Sequence, residues 1–280
     1  MKIDVICPLY KGAEYIEQLN ENITNQQNVT INKIKYILTD TNDDSEEILK
    51  KLKCNYKKIK PSEFSHSLTR EKAALRSRAD IIVFVTQDIE IRNNDWLKNL
   101  VNPIIKGEAE ACYSRQLTKY ENIEKYTRES NYPEKSMIKS KEDIKKIGLK
   151  TFFFSDASSA IKTEVFKELK GYDGKNLPTN EDMYIAYKLI TNGYKIKYCA
   201  DSIVYHSHKF TLKEIYKRYK LTGQFFKENK YLDEYGTNGS GASLAKYILK
   251  RIIQERKFLL LFRYPFDMGA RFLGMKVGKK

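Results

Sequence analysis

The feature that most restricts this chain is a continuous apolar run, Ile81-Ile82-Val83-Phe84-Val85, which passes directly into Thr86-Gln87-Asp88. A strand with one face in water alternates apolar and polar residues. A short strand that is apolar throughout is covered on both faces, as in a parallel sheet with helices on either side. Such a sheet needs crossover helices, and the upstream sequence supplies them. Residues 3–7 read as a first strand, followed by a helix with Ile16, Leu19 and Ile23 on one face. A second strand at 36–39 leads through Asp43-Asp44-Ser45, which offers N-cap chemistry, into a short helix carrying Ile48, Leu49 and Leu52. A third strand at 56–59, a loop at 61–66 and a helix through Ala73, Ala74 and Leu75 precede the apolar run. This alternation predicts an α/β fold with a mostly parallel, doubly wound sheet. In open sheets of this kind ligands sit beyond the carboxyl ends of the strands. Asp88, at such an end, is therefore either an ordinary turn residue or part of a site.

Downstream, Asn93-Asn94-Asp95 starts a helix with Trp96, Leu97, Leu100 and Val101 inward, and 109–114 reads as a strand. Residues 115–150 are polar and aperiodic, and they either cover a sheet edge or contribute to an acceptor site. Phe152-Phe153-Phe154 ends at Ser155-Asp156, and Val165 with Phe166 begins a short helix. Asn180-Glu181-Asp182 opens an amphipathic helix that stops at Gly193. Strands at 195–199 and 203–205 then deliver Tyr205-His206-Ser207-His208. Thr211-Leu212-Lys213-Glu214 forms a capping box for a further helix, and a Gly/Ser-rich break at 236–241 separates it from a basic tail.

With 280 residues and 41% hydrophobic content, the chain can bury one large core and carry a smaller appended element. The excess of 51 Lys and Arg over 36 Asp and Glu gives a net charge of +15 and favours a polyanionic partner. Nucleic acid is one such partner, but the chain has no helix-turn-helix signature, zinc spacing or RNA-recognition motif. Cys7, Cys54, Cys112 and Cys199 are scattered, which predicts reduced thiols in a cytosolic protein and no structural metal. The apolar stretch before Pro8 is too short for a signal peptide. The run 258–262 is far shorter than the roughly 20 residues a bilayer span needs. From 246 to 280 the only acids are Glu255 and Asp267, while Leu244, Tyr247, Ile248 and Ile252 recur at helical spacing. That segment reads either as contact with an anionic membrane surface or as a helix packed on the core or on a second subunit of a homodimer.

Each candidate site residue has two readings at this point. Glu181 and Asp182 are acids in a first helical turn, which the macrodipole stabilises by roughly 0.3–1 kcal/mol, or one of them is a general base. His206 and His208 are ordinary histidines, or at least one of them ligates a divalent ion together with Asp88. Asp40 caps its loop or meets a ligand, and Arg70 lies on a solvated helix face or at a site.

Taken together and in order, these segments resemble family 2 glycosyltransferases of the GT-A fold, within them the bacterial rhamnosyltransferase branch. The matching pieces are Val5-Ile6-Cys7-Pro8-Leu9-Tyr10, Thr39-Asp40, Glu63-Phe64-Ser65-His66-Ser67 with Thr69-Arg70, and Phe84-Val85-Thr86-Gln87-Asp88. They continue through Tyr113-Ser114-Arg115-Gln116, Phe153-Phe154-Ser155-Asp156, Asn180-Glu181-Asp182-Met183-Tyr184 and Val204-Tyr205-His206-Ser207-His208. The resemblance implies an inverting, metal-dependent enzyme. It implies that Pro8, Leu9, Tyr10, Asp40, Arg70, Gln87 and Asp88 bind the nucleotide sugar, dTDP-rhamnose or alternatively a UDP-hexose. Asp88 and His206 would hold Mg or Mn, and Asp182 would be the catalytic base toward a glycan or lipid-linked oligosaccharide acceptor. It divides the chain into a catalytic domain at 1–210, with a nucleotide-binding half to 114 and an acceptor half from 115, and a helical basic extension at 211–280. It implies a cytoplasmic location, peripheral on the inner face of the cell membrane. Thr86 and Gln87 depart from the family's usual D-x-D motif, leaving Asp88 as its single carboxylate. The acidic loop after Asp40 is contracted, and Glu90, Glu181 and His208 receive no role.

Overall fold

The computed structural model describes the backbone of residues 1–280 and the side chains of all but residues 237, 238 and 240. The chain begins with β1 (Lys2–Leu9), α1 (Ala13–Thr24), β2 (Thr30–Thr39), α2 (Ser45–Lys51), β3 (Asn55–Ile59), α3 (His66–Leu75) and β4 (Ile81–Val85). There follow β5 (Ile89–Glu90), α4 (Trp96–Ile105), β6 (Ala111–Leu117), α5 (Ile123–Asn131), β7 (Met137–Lys139) and α6 (Ile144–Ile147). Then come β8 (Ser158–Lys162), α7 (Thr163–Glu168), α8 (Glu181–Thr191) and β9 (Ile196–His206), and the chain closes with α9 (Leu212–Glu228), α10 (Thr237–Gln254) and α11 (Phe258–Lys279).

All strands join one nine-stranded sheet in the order β3-β2-β1-β4-β8-β6-β9-β5, with β7 also on β9. The first four strands are mutually parallel, and β1 and β4 are buried on both faces, while β3 forms the exposed edge. Along β1 and β4, Val5, Cys7, Leu9, Val83 and Val85 pack against Ile16 and Leu19 of α1 and Trp96 and Leu97 of α4. The intervening Ile6, Ile82 and Phe84 pack against Ala73 and Ala74 of α3 and Ile185 and Leu189 of α8. Two-sided burial is why β4 is apolar at every position.

The second half of the sheet is mixed rather than parallel. β8 runs antiparallel to both β4 and β6, while β6 and β9 are parallel. Its sequence, Ser158-Ser159-Ala160-Ile161-Lys162, carries no strand signature because two fully buried positions are serines. Their hydroxyls are satisfied internally: Ser158 meets Ser114 Oγ at 2.6 Å and the Trp96 indole N–H at 3.1 Å, and Ser159 donates to Asp156 at 2.7 Å. The two strands expected at 195–199 and 203–205 are one strand, β9, whose register against β6 slips between Cys199 and Ile203. Within the polar section after residue 115, β7 covers part of the edge of β9.

The break before the basic tail is confined to Gly236, at φ 91°, and α10 starts immediately after it. The apolar stripe of α10 is turned inward, since Ile248 and Ile252 pack on Ile123 and Tyr126 of α5. Arg251 donates to Glu129 at 2.9 Å, and Lys125 pairs with Glu255 at 2.9 Å, across the same contact. α11 lies against α9 at a separation only glycine permits: a Cβ on Gly274 would stand 2.5 Å from the Tyr216 carbonyl oxygen, and one on Gly223 2.5 Å from that of Met275. Arg271 pins the pair, bonding Asp267 at 2.6 Å and the Tyr219 hydroxyl at 2.8 Å. Among the described residues no helix is long and apolar enough to cross a membrane. All four cysteines are free thiols.

Candidate active site

The carboxyl ends of β1, β2 and β4 meet at one edge of the sheet, as parallel pairing requires. The side chain of Gln87 ties two of these ends together, accepting from the Tyr10 amide at 2.8 Å and donating to the Tyr10 carbonyl at 2.9 Å. Both functions of its amide are thus committed to the backbone of the β1 loop. The β2 loop joins them through Ser45, whose hydroxyl accepts from the Gly12 amide at 2.9 Å and donates to Asp43 at 2.5 Å. Asp43 and Ser45 thereby knit the loops together, and Asp44, at the N-cap of α2, makes no side-chain capping bond.

Asp40 lines an open cleft of about 330 Å³ with Thr41, Asn42, Asp43 and Lys58, and its carboxylate lies 3.0 Å from the Lys58 ammonium. Tyr10 is exposed and Pro8 half-buried, but the Leu9 side chain is wholly in the core.

Asp88 sits in the tight turn between β4 and β5. The two residues of β5 pair antiparallel with the end of β9, Ile89 opposite His206 and Glu90 opposite Tyr205, and this ladder carries the histidine to the carboxylate. Asp88 Oδ2 is 3.3 Å from His206 Nε2 and 3.9 Å from His208 Nε2, and the two Nε2 atoms are 2.9 Å apart. Phe210 stacks on His208 with ring centroids 4.8 Å apart. Burial raises the Asp88 pKa, but the hydrogen bond from His206 and the neighbouring imidazoles outweigh it and hold the carboxyl well below its usual range. Burial lowers the pKa of His206, and burial together with the His206 charge pushes that of His208 down to about 3. Near neutral pH the cluster is one carboxylate and two neutral imidazoles, the protonation a divalent cation requires of its ligands. The three donor atoms lie within 4.8 Å of one another, so the set fits a single divalent ion. His208, which had no role from the sequence, belongs to this set.

Behind the cluster stand two residues that sequence reasoning did not single out for a role. Gln116 Oε1 lies 2.9 Å from His206 Nδ1 and also accepts from Arg128, while its amide nitrogen donates to Ser155 at 2.7 Å. Arg128 has only donors, so the atom it touches must be the oxygen of Gln116. His206 Nδ1 lies 2.9 Å from that oxygen and 3.3 Å from Arg128 Nη2, and these two contacts hold the ring with Nε2 toward Asp88 and His208.

A second cluster gathers at the N-terminus of α8. Asn180 turns the chain there at φ 59°, in the left-handed region that Asn tolerates. Glu181 is buried and pairs with Arg70 at 3.3 Å, and Arg70 also donates to the His66 carbonyl at 2.8 Å. Arg70 is only 3% exposed, so its guanidinium lies beneath the surface rather than on a solvated helix face. Glu71 grips the preceding turn by accepting from the amides of Tyr172 at 2.5 Å and Gly174 at 3.2 Å. Asp156 is buried as well, accepting from the Tyr172 hydroxyl at 2.6 Å and from Ser159. Burial, against the opposing charge of Arg70, pushes the Asp156 pKa up to about 6. Asp182 is half-buried; its Oδ1 accepts from the Met183 amide at 2.8 Å, and among the described residues Oδ2 has no hydrogen-bond partner. Burial first, then the charges of Glu181 and Asp156, raise its pKa well above the usual carboxylate range. Gln116 and Ser155 link this cluster to the histidines. Glu90, by contrast, is a surface partner of Arg92 and Lys119.

The arrangement therefore offers a deprotonated cation site and, in the cluster at the start of α8, a carboxylate whose pKa burial and neighbouring acids raise. Comparison with known proteins agrees. Over its whole length the chain is 33% identical to the O-antigen chain rhamnosyltransferase RfbN of Salmonella typhimurium, covering 90% of that protein. It is 35% identical across 85% of its length to the O-antigen chain rhamnosyltransferase WbaN of Salmonella anatum, of which 76% is covered. Among solved structures it resembles a mannosyltransferase of Pyrobaculum calidifontis in complex with GDP-Man and Mn2+, with a TM-score of 0.65 and 14% identity over 99% of this chain and 86% of that one. It likewise resembles TarS of S. aureus in complex with UDP-GlcNAc, with a TM-score of 0.59 and 16% identity over 99% of this chain and 91% of that one. At such identities these two speak to the fold alone. Residues 4–170 match the family model described as glycosyl transferase family 2, and the chain belongs to that family.

Proposed function

We propose that this chain transfers L-rhamnose from dTDP-L-rhamnose, with inversion, to a hydroxyl of a lipid-linked polysaccharide acceptor in cell-surface glycan synthesis. The observation that carries the donor choice is the 33% identity to an O-antigen chain rhamnosyltransferase over 100% of the chain. The nucleoside would lie between Pro8-Leu9-Tyr10 and Asp40, across the loops that Gln87 and Ser45 hold in place. With the Leu9 side chain in the core, its contribution is through its backbone. Arg70 acts from beneath, steadying Glu181 rather than reaching solvent. A divalent cation held by Asp88, His206 and His208 would supply positive charge against the oxygens of the leaving diphosphate.

Asp182 Oδ2 takes the proton from the acceptor hydroxyl as that oxygen bonds to the anomeric carbon from the face opposite the leaving group. The anomeric C–O bond breaks with its electron pair going to dTDP. One displacement inverts the configuration, so no covalent nucleophile is needed. The basic C-terminal extension supports a cytoplasmic location at the inner face of the cell membrane.

The test is donor hydrolysis and thermal stabilisation across dTDP-rhamnose, dTDP-glucose, UDP-glucose and UDP-galactose in the presence of Mn2+. dTDP-rhamnose is expected to be turned over and to stabilise the protein most. Preference for a UDP-hexose would overturn the donor assignment while leaving the family and the inverting mechanism standing.

A further inference from the structure

The C-terminal helix has an outer face that nothing else in the fold explains. Phe258, Leu259, Phe262, Phe266, Leu273 and Val277 are all exposed, Leu259 at 84% and Phe262 at 76%. At 3.6 residues per turn they fall within an arc of roughly 100°, so they form one ridge along a helix about 33 Å long. Isolated exposed apolar residues are ordinary, but a continuous ridge of this size marks an interaction surface. The inward face of α11 is already committed to α9 through Gly274 and Gly278, where added side chains would collide with the α9 backbone. The ridge is therefore not surplus core awaiting a different packing of the same helices.

We propose that this ridge docks on an anionic lipid bilayer, with α11 lying in the interface plane. The charges around it select the occupant. Arg256, Lys257, Arg263, Lys276 and Lys280 are exposed beside or along the ridge. The only acid in α11, Asp267, is buried in its bond to Arg271. An apolar stripe bordered by cations and free of exposed acids complements phospholipid headgroups over acyl chains. A second copy seated on the same face would bring two sets of these cations together, on a chain whose net charge is already +15. The sequence pointed to a different stripe, that of α10, and the structure shows that one packed on α5.

The ridge is also tied to the candidate active site. The Arg263 guanidinium donates to the Phe210 carbonyl at 2.5 Å, and the Phe210 ring stacks on His208. Docking would seat the bilayer on the helix that abuts the loop following the histidines. The proposal concerns a surface rather than the transfer step, and it stands whichever donor the enzyme uses.

The test is co-sedimentation of the full chain with vesicles of phosphatidylcholine alone and of phosphatidylcholine mixed with phosphatidylglycerol. Phe262→Ser with Phe266→Ser, and separately Phe258→Ser with Leu259→Ser, remove ridge side chains that are exposed, so thermal midpoints should be unchanged. The native chain should sediment with the anionic vesicles and much less with the neutral ones. Each double variant should bind the anionic vesicles about ten-fold or more weakly. Equal binding by the native chain and both variants would overturn the proposal, as would failure of the native chain to bind anionic vesicles. A dimer in lipid-free solution that the ridge variants convert to monomer, without vesicle binding, would assign the face to a second copy instead. These readouts use no nucleotide sugar, so their failure is distinct from a failure of the proposed transfer.

Discussion

His206 Nδ1 lies 2.9 Å from Gln116 Oε1, and this contact fixes which imidazole nitrogen faces Asp88. The glutamine oxygen cannot be exchanged for its nitrogen without setting that nitrogen against Arg128, another donor. Replacing Gln116 with Leu should therefore free the ring and weaken Mn2+ binding by about ten- to a hundred-fold, measured by titration calorimetry without any substrate. Unchanged affinity would remove Gln116 from the ion site.

The acids beside Asp182 set its working range. Burial and the negative charges of Glu181 and Asp156 raise its pKa, so the acidic limb of the rate profile should lie well above the ordinary carboxylate range. Glu181→Gln removes one of those charges and leaves Arg70 unpaired nearby. Both changes favour the ionised base, so the limb should move to lower pH even if the maximal rate falls. A limb that stays in place would show that another group titrates there.

Lys139 supplies a stability test with a definite sign. It is fully buried between Tyr113 and Phe153, donates to the Phe153 carbonyl, and burial lowers its pKa from 10.5 to about 7. Between those values the unfolded chain holds a proton that the folded chain does not, so this residue makes stability rise with pH across that window. Lys139→Met removes the titration. Whichever protein is the more stable at pH 7, the native chain should gain on the variant between pH 7 and about pH 9, read from thermal midpoints. A difference independent of pH would mean the amine is not buried as described.

Gly274 tests the seating of α11. Any side chain there meets the Tyr216 carbonyl, so Gly274→Leu should destabilise the helix pair by about 1–3 kcal/mol. An unchanged thermal midpoint would show that the two helices are not held at this distance.

Much of the fold was legible because two-sided burial leaves a plain trace. Ile81 to Val85 had to be a covered strand, and the helices carrying Ile16, Leu19 and Ile23, or Leu97 and Leu100, announce their inward faces by spacing. β8 was not legible, since its buried Ser158 and Ser159 carry no apolar signature: Ser158 is satisfied by the distant Ser114 and Trp96, and Ser159 by Asp156 in the turn before the strand. Asp88, His206 and Asp182 were singled out because short polar motifs at strand and helix ends mark them. His208 was seen beside them but had no role until the ladder between β5 and β9 placed it. Gln116 and Asp156 close two of the segments that carry the resemblance, but the contacts of Gln116 and Arg128 with His206, 90 and 78 positions away, and of Asp156 with Tyr172 are recorded by no local pattern. The stripe of α10 misdirected the membrane reading because amphipathic spacing is the same whether a helix meets protein or lipid.

The central claim is that Asp182 is the base of an inverting transfer, and the substitution Asp182→Asn addresses it most directly. The amide keeps the side chain's shape and its bond to the Met183 amide but cannot take a proton. Turnover of dTDP-rhamnose with acceptor should fall by about a hundred- to ten-thousand-fold, with dTDP and Mn2+ affinities nearly unchanged. Retained turnover, or a loss of nucleotide affinity as large as the loss of rate, would contradict the account.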